Sequence, residues 1–182
     1  MNSLKKAAII TSLIDSMRLK GSWCGETHLQ KATYFLQELL NVPLGFNFIL
    51  YKHVPFSFDL RDELTALRAN KMISIEPQAL PYGPRINSTM ISEKIQNNFP
   101  KTIKKYQKRI QFIADTLDAK GVLDLEKLAT ALYVTLQMGR KSSIEERIDE
   151  FRDLKPYFSS SEASSTFDVV DHMIEDSRKI VK

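Results

Sequence analysis

Few side chains in this sequence could support chemistry: one cysteine, three histidines and a short cluster of carboxylates. Cys24 and His28 are four residues apart, which suits either a cysteine–histidine nucleophile pair or half of a metal site. Gly25 interrupts the segment between them, and the sequence offers neither a second cysteine nor a neighbouring histidine to complete a set of zinc ligands. We therefore predict no catalytic role for this pair and no metal site.

The other histidines and the carboxylates point to structure more than to catalysis. His53 and His172 are isolated in the sequence, and only the fold decides whether they meet the third histidine in space. Asp59, Asp62 and Glu63 stand where a helix is predicted to begin, and the helix dipole alone favours acidic residues there. Because the phosphate-binding glycine loops and the common hydrolase motifs are absent as well, we predict that the protein is not an enzyme and binds no cofactor.

Composition and charge limit the class of protein. The 182 residues carry a formal net charge of +4, which permits contact with nucleic acid or an acidic partner but requires neither. A single cysteine fits a reducing cytoplasm, and no apolar stretch approaches the length of a membrane span. The sequence therefore predicts a soluble cytoplasmic protein without a membrane segment.

The segment 27–41 is predicted to form an amphipathic helix, around which the rest of the chain is organised. Thr27 can cap the free N–H groups of its first turn, and Gln30 can complete a capping box. Apolar residues recur at helical spacing and predict one buried face: Leu29, Ala32, Leu36, Leu39 and Leu40. Lys31 lies outside that stripe, so we expect it on the surface, where its truncation should change stability little.

A short strand and a second helix are predicted next. The alternation of residues in the segment 46–51 indicates a strand with an aromatic-rich face. Pro55 is expected to stop that strand, because proline supplies no N–H to a sheet. Ser57 or Asp59 can then cap a helix. The apolar stripe of this helix consists of Leu60, Leu64 and Leu67.

The remaining patterns complete the predicted fold. Segments 72–76 and 85–88 indicate a hairpin, since prolines and a glycine crowd the connection between them. Beyond residue 90 the chain shows helical spacing throughout. We predict a mainly α protein with a small β-hairpin, in which a winged-helix-like N-terminal part, residues 1–90, is followed by a helical bundle, residues 91–182. Short connections favour packing of the two parts as one unit.

Three segments carry a resemblance to known bacterial proteins: 30–35, 51–57 and 59–64, which read QKATYF, YKHVPFS and DLRDEL. They resemble the uncharacterised YwgA-like family and, more distantly, the Panacea or SocA-like antitoxin domain, in which a K-x-x-Y-F helix precedes a K-Y-G-P-x-S elbow. This chain has His53 for the tyrosine and Val54 for the glycine. Because a β-branched residue resists positive φ, the turn must be built differently here. The resemblance implies a protein-binding role, either antitoxin-like or as a phage- or mobile-element-associated regulator.

Two surfaces are candidates for binding. The first, for a partner protein such as a toxin, is the elbow with the helix after it: Lys52, His53, Phe56, Ser57, Arg61 and Arg68. The alternative is a winged-helix DNA-binding regulator that uses the hairpin tip and a basic helix: Tyr82, Arg85, Lys101, Lys104, Lys105 and Lys108. The helix after the elbow begins with acidic residues, so we expect any DNA binding to be weak and non-specific. A homodimer is also compatible with the sequence.

Overall fold

The computed structural model describes residues 1–80, 83–139 and 142–181. The helices are α1 (Ser3–Leu19), α2 (Glu26–Tyr34), α3 (Phe58–Ala69), α4 (Met90–Asn98), α5 (Pro100–Thr116), α6 (Val122–Met138), α7 (Ile144–Leu154) and α8 (Ser160–Val181). A π-helical turn, Phe35–Leu39, continues α2. The strands are β1 (Ile49–Tyr51), β2 (Val54–Phe56), β3 (Ile73–Glu76) and β4 (Arg85–Ser88), and they form two antiparallel hairpins. The predicted fold class, mainly α with a small hairpin, is confirmed.

The first hairpin, β1–β2, corrects the predicted single strand. Ile49, Leu50 and Tyr51 pair with Phe56, Pro55 and Val54 respectively, so Pro55 lies inside β2 and does not stop the strand. Proline is tolerated there because its nitrogen does not face β1, a point of register that the sequence alone did not show. The two loop residues, Lys52 and His53, have φ values of 49° and 62°. The positive φ of this two-residue turn therefore falls on them and not on the β-branched Val54.

The second hairpin, β3–β4, was predicted correctly. Ile73 pairs with Ser88 and Glu76 with Arg85, as the segments 72–76 and 85–88 indicated. Its β4 strand is tied to the chain before α2, where the Ile86 N–H donates to the Cys24 carbonyl oxygen over 2.9 Å.

The predicted cap was wrong for α2 and correct for α3. Helix α3 begins as predicted: the Leu60 N–H donates to the Ser57 hydroxyl over 3.2 Å. The predicted capping box of α2 is wrong, because that helix begins at Glu26 after Gly25 and shows no side-chain cap. The Gln30 side chain bonds to a distant part of the chain instead.

Helix α2 lies at the centre of the molecule. It contacts α6, β2 and α3, and α6 in turn packs against α7 and α8, while α1 packs against α4 and α5. The predicted core leucines Leu29 and Leu36 are fully buried. The expectation of an amphipathic helix is nevertheless wrong, because Gln30, Lys31 and Thr33 are buried as well. Neighbours on several sides, rather than on one, leave α2 without a solvent face.

Candidate functional site

An exposed group of aromatic rings marks the first hairpin. The ring centres of Tyr51, Phe56 and Phe58 lie 5.6 Å (Tyr51–Phe56), 5.3 Å (Tyr51–Phe58) and 5.1 Å (Phe56–Phe58) apart. Tyr51 is 41% exposed and Phe58 37%, and the neighbouring Ile49 is 42% exposed. Large apolar side chains grouped in this way on a surface mark sites of interaction. We call these three rings the aromatic cluster.

Basic side chains lie on and beside the aromatic cluster. The Lys52 ammonium lies 5.6 Å from the ring centre of Tyr51, and the Arg61 guanidinium carbon lies 4.9 Å from that of Phe58. His53 is exposed beside Lys52 in the turn. Cation–π contacts of this kind hold the cations over the rings while leaving them available to a partner. We call the aromatic cluster together with Lys52, His53 and Arg61 the hairpin surface.

Two glutamine side chains hold the hairpin at its two ends. At one end, Gln37 of the π-helical turn donates to the Phe46 carbonyl and accepts from the Phe46 N–H, both over 2.9 Å. At the other end, Gln30 of α2 donates to the Ser57 carbonyl and accepts from the Ser57 N–H, also over 2.9 Å. Each amide thus pairs with a backbone as a neighbouring strand would, which fixes the segment 46–57 against the core.

Two further bonds fix the middle and the tip of the hairpin. The Lys31 ammonium donates to the Pro55 carbonyl oxygen over 3.0 Å, and the Thr130 hydroxyl of α6 donates to the His53 carbonyl oxygen over 3.3 Å. A binding surface held in place before its partner arrives loses less conformational entropy on binding. The hairpin surface is therefore presented as a rigid element.

The burial of Lys31 corrects the expectation that it is a surface residue. Its side chain is only 2% exposed, and desolvation lowers the pKa of its ammonium from 10.5 to about 8. The carboxylate of Glu126 opposes this lowering, and the charge of Lys155 adds to it. Lys155 is itself buried and lies 3.8 Å from the Glu126 carboxylate.

Stability is expected to rise by about 1 kcal/mol between pH 7 and pH 9 through Lys31. Its folded-state pKa of about 8 lies below the ordinary 10.5, so between these values the unfolded state binds more protons and stability rises with pH. Urea midpoints of the wild type and Lys31→Met at several pH values measure the effect. The buried Cys24 thiol, whose raised pKa favours the reverse trend above pH 9, is present in both proteins, so its contribution cancels in the comparison. Equal slopes for the two proteins between pH 7 and pH 9 would contradict the prediction.

Two residues of the predicted partner-binding set lie apart from the hairpin surface. Ser57 is fully buried, where it caps α3 and pairs with Gln30, so its role is structural and it offers nothing to a partner. Arg68 is exposed near the end of α3, about two helical turns beyond Arg61.

The residues proposed for nucleic-acid binding lie on different elements, with Arg85 in β4 and the four lysines in α5. Tyr82 lies outside the described residues. The Arg85 guanidinium lies 4.2 Å from the ring centre of Trp23, which fixes it against the base of the second hairpin. Four lysines are exposed along one side of α5: Lys101, Lys104, Lys105 and Lys108. In residues 1–80, 83–139 and 142–181, none of these four forms an ion pair.

Cys24, His28 and His172 differ in burial and in their surroundings. The Cys24 thiol is fully buried, and desolvation raises its pKa to about 12, so it is not a thiolate at neutral pH. His28 is also buried, with its pKa lowered by desolvation. His172 lies exposed on α8, where its Nδ1 is 2.6 Å from the Asp168 carbonyl oxygen. Within the described part of the chain, no group of three or more potential metal ligands is found.

A cleft of about 1010 Å³ shares no residue with the hairpin surface. It lies between the π-helical turn and helices α6 to α8, where Arg147 makes two 2.8 Å bonds to the Asp171 carboxylate. Glu38 and Arg178 also line it, so charges of both signs are interspersed. Because this lining selects no single class of ligand, we assign it no function.

The sequence did not identify all residues of the hairpin surface and its support. Tyr51 and Phe58 were not among the candidates, although the aromatic residues of the segment 51–58 could have indicated them. The bonds made by Gln30, Gln37 and Lys31 have no local pattern in the sequence, since their partners lie 9 to 27 residues away in the chain. Gln30 and Lys31 belong to the segment 30–35 of the family resemblance, but that resemblance implied nothing about these bonds.

Comparison with known proteins did not assign the chain to a family. No model of a known protein family matches the chain, and no curated protein matches it significantly. Among the described helices, none is both long and apolar enough to cross a membrane.

Proposed function

We propose that this protein is a protein-interaction module that binds a partner protein through the hairpin surface. The observation that carries the proposal is the exposed aromatic cluster with Lys52 and Arg61 lying over its rings. Tyrosine, other aromatic residues and arginine are enriched at protein interfaces, and a few of them supply most of the binding energy. The bonds from Gln30, Gln37, Lys31 and Thr130 support the proposal because they hold this surface in one conformation.

The resemblance to SocA-like antitoxins supports a more specific form of the proposal. In this form the partner is a toxin, or a protein of a phage or mobile element, and the module neutralises or regulates it by occupying its surface. The bacterial cytoplasm is the compartment in which such a pair would meet. Binding, rather than catalysis, is the activity that the hairpin surface serves.

Phe58→Ala and Arg61→Ala are each expected to weaken partner binding by 2 kcal/mol or more, roughly 30-fold in Kd. The melting temperature of Arg61→Ala should change little, whereas Phe58→Ala should melt lower because it also loses packing against the rings of Tyr51 and Phe56. Their side chains lie on the surface, so truncation removes contacts with the partner more than contacts with the core. The measurement is capture of proteins from the native host by tagged wild type and variants, followed by titration of the captured partner.

Lys104→Ala, on the exposed side of α5, is the matched control and should bind like the wild type. Lys52→Ala should behave like Arg61→Ala. Binding lost only in Lys104→Ala would move the site to α5 and overturn the proposal. A partner captured equally by all variants would also contradict it.

The second candidate function, DNA binding by a regulator, depends on the four exposed lysines of α5. Lys101, Lys104, Lys105 and Lys108 recur at intervals of three and four residues, so they lie on one side of the helix and can meet phosphates. Against this, α3 begins at Phe58, directly after its cap residue Ser57, and carries Asp59 in its first turn, a charge that repels phosphate.

We expect duplex DNA to bind weakly, without sequence preference, and to dissociate at moderate salt. Only phosphate contacts are available to the lysines of α5, and these weaken steeply as counterions are added. Fluorescence anisotropy of labelled duplexes between low and physiological salt measures this. Nanomolar binding of one duplex at physiological salt, with a mutated site rejected, would instead support the regulator.

A further inference from the structure

The two edges of the β1–β2 hairpin differ in what covers them. In an antiparallel pair, residues alternate between positions that bond across the pair and positions whose N–H and C=O groups face outward. The turn at Lys52 and His53 makes Tyr51 and Val54 the closing bonded pair, so Leu50 and Pro55 form a pair whose backbone groups face outward. The absence of an N–H on Pro55 agrees with this register.

The outer edge of β2 is blocked by buried side chains. The outward carbonyl of Pro55 accepts from Lys31 over 3.0 Å, and the outward groups of Ser57 pair with Gln30 over 2.9 Å. Lys31 and Gln30 are almost fully buried, so this edge is part of the core and cannot accept another strand.

The outer edge of β1 is open. No strand in residues 1–80, 83–139 or 142–181 pairs with it, and neither the N–H nor the C=O of Leu50 bonds to any described residue. Its neighbours Ile49 and Tyr51 are 42% and 41% exposed. An unpaired strand edge beside exposed apolar side chains is a template for an incoming strand.

We propose that the partner binds as an added β-strand along β1, supplying an extended segment with apolar residues at alternate positions and an acidic residue near its end. This mode of binding rests on the proposed function and specifies how the hairpin surface contacts the partner. Backbone bonds to Leu50 supply register, while alternate side chains of the segment pack on Ile49, Tyr51 and the aromatic cluster. The acidic residue meets Lys52, which lies directly after β1.

Charge favours a foreign segment over a second copy of this chain. A second copy on the same edge would bring its own Lys52 and Arg61 to a surface that already carries these two cations, and like charges across an interface oppose binding. Asp59 does not offset them freely, because its carboxylate accepts from the Asn47 N–H over 3.2 Å.

The experiment selects peptides from a phage-displayed library of random twelve-residue sequences, with the full-length protein as bait. Selected peptides are then synthesised and titrated against three proteins: wild type, Leu50→Ala and Leu50→Pro. Leu50→Ala loses the side chain but keeps the N–H, whereas Leu50→Pro also loses the N–H that faces the incoming strand. Proline is tolerated at a strand position whose N–H faces solvent, so both variants should fold.

We expect enrichment of peptides with alternate apolar residues, binding to Leu50→Ala within about threefold of wild type, and binding to Leu50→Pro weakened at least tenfold. Methylation of the peptide amides that face β1 should weaken binding to the wild type by a similar factor. This arm tests the backbone bonds even if Leu50→Pro fails to fold.

Three results would overturn the inference. The first is that no peptide is enriched. The second is that the selected peptides bind Leu50→Pro as tightly as wild type, or that their amide-methylated forms bind wild type as tightly as the unmethylated peptides do. The third is that peptide binding depends on Lys104 of α5. A partner protein that is lost with Phe58→Ala but retained with Leu50→Pro would leave the proposed function intact and exclude strand addition. Stable dimers that form by themselves and disappear in Leu50→Pro would show that a second copy occupies the edge.

Discussion

Gln30→Ala is expected to lower the free energy of unfolding by about 1–3 kcal/mol, because it leaves the buried Ser57 N–H without a partner, whereas the Ser57 C=O still accepts from the Arg61 N–H. The Gln30 side chain is fully buried and forms two 2.9 Å bonds, one with the N–H and one with the C=O of Ser57. Each buried group that loses its partner costs about 1–3 kcal/mol. Urea unfolding, followed by circular dichroism, measures the change.

Gln37→Ala is the matched control for this effect. Gln37 makes the same pair of bonds with the backbone of Phe46, but it is only partly buried, so water can replace the lost amide. We expect this variant to cost about 0.5–1.5 kcal/mol. If the two variants were equally destabilised, burial would not be the reason for the cost of Gln30→Ala.

Leu36→Ala is expected to cost on the order of 2–5 kcal/mol. Leu36 lies in the π-helical turn and is fully buried in the core that joins the N-terminal and C-terminal helices. Its truncation loses the transfer free energy of the removed methyl groups and leaves a cavity that a close-packed interior fills only in part. The shift in the urea midpoint, at an unchanged dependence of the unfolding free energy on urea concentration, measures the loss of stability.

The control for Leu36→Ala is Leu19→Ala at the end of α1. Leu19 is 84% exposed, so its truncation should change stability by no more than about 0.5 kcal/mol. Lys31→Ala, which the sequence suggests as a surface control, is unsuitable because the Lys31 amine is buried and bonded to Pro55. A loss for Leu36→Ala as small as that for Leu19→Ala would show that the π-helical turn packs elsewhere.

The support of the hairpin connects stability with the proposed binding. Gln30, Lys31, Gln37 and Thr130 come from α2, the π-helical turn and α6, and all four bond to the backbone of the segment 46–57. A variant that loses one of these bonds would keep every residue of the aromatic cluster but would let the hairpin move. Binding would then cost more conformational entropy, because the partner would have to order the hairpin. Variants of the support should therefore weaken partner binding in proportion to the disorder of the hairpin.

The local elements of this protein followed from short-range patterns in the sequence. Leu60, Leu64 and Leu67 recur at helical spacing, and Ser57 accepts from the third residue after it, so α3 was predicted with its start and its buried face. The capping box of Ser143 and Glu146 at the start of α7 likewise joins residues only three positions apart. Such features depend on residues within one or two turns of each other, and these interactions are visible in any single sequence.

Strand pairing at the elbow depended on register, which the sequence did not show. Proline stops a strand only where its nitrogen would have to donate to a neighbour, and the pairing of Pro55 with Leu50 places that nitrogen on the outer side. The same register leaves the backbone groups of Leu50 facing outward. A two-residue turn with positive φ at Lys52 and His53 sets this register, and neither residue type is typical of such a turn.

Only the tertiary structure decided which side chains are buried and which are exposed at the candidate site. Gln30 and Lys31 are buried because α2 has α6 on one side and the first hairpin with α3 on others, while Tyr51 and Phe58 remain partly exposed. Helical periodicity predicts which face of a helix is most apolar. It does not predict whether other elements also pack against the remaining faces of the helix. Those neighbours come from parts of the chain up to about a hundred residues away, and their arrangement is a property of the whole fold.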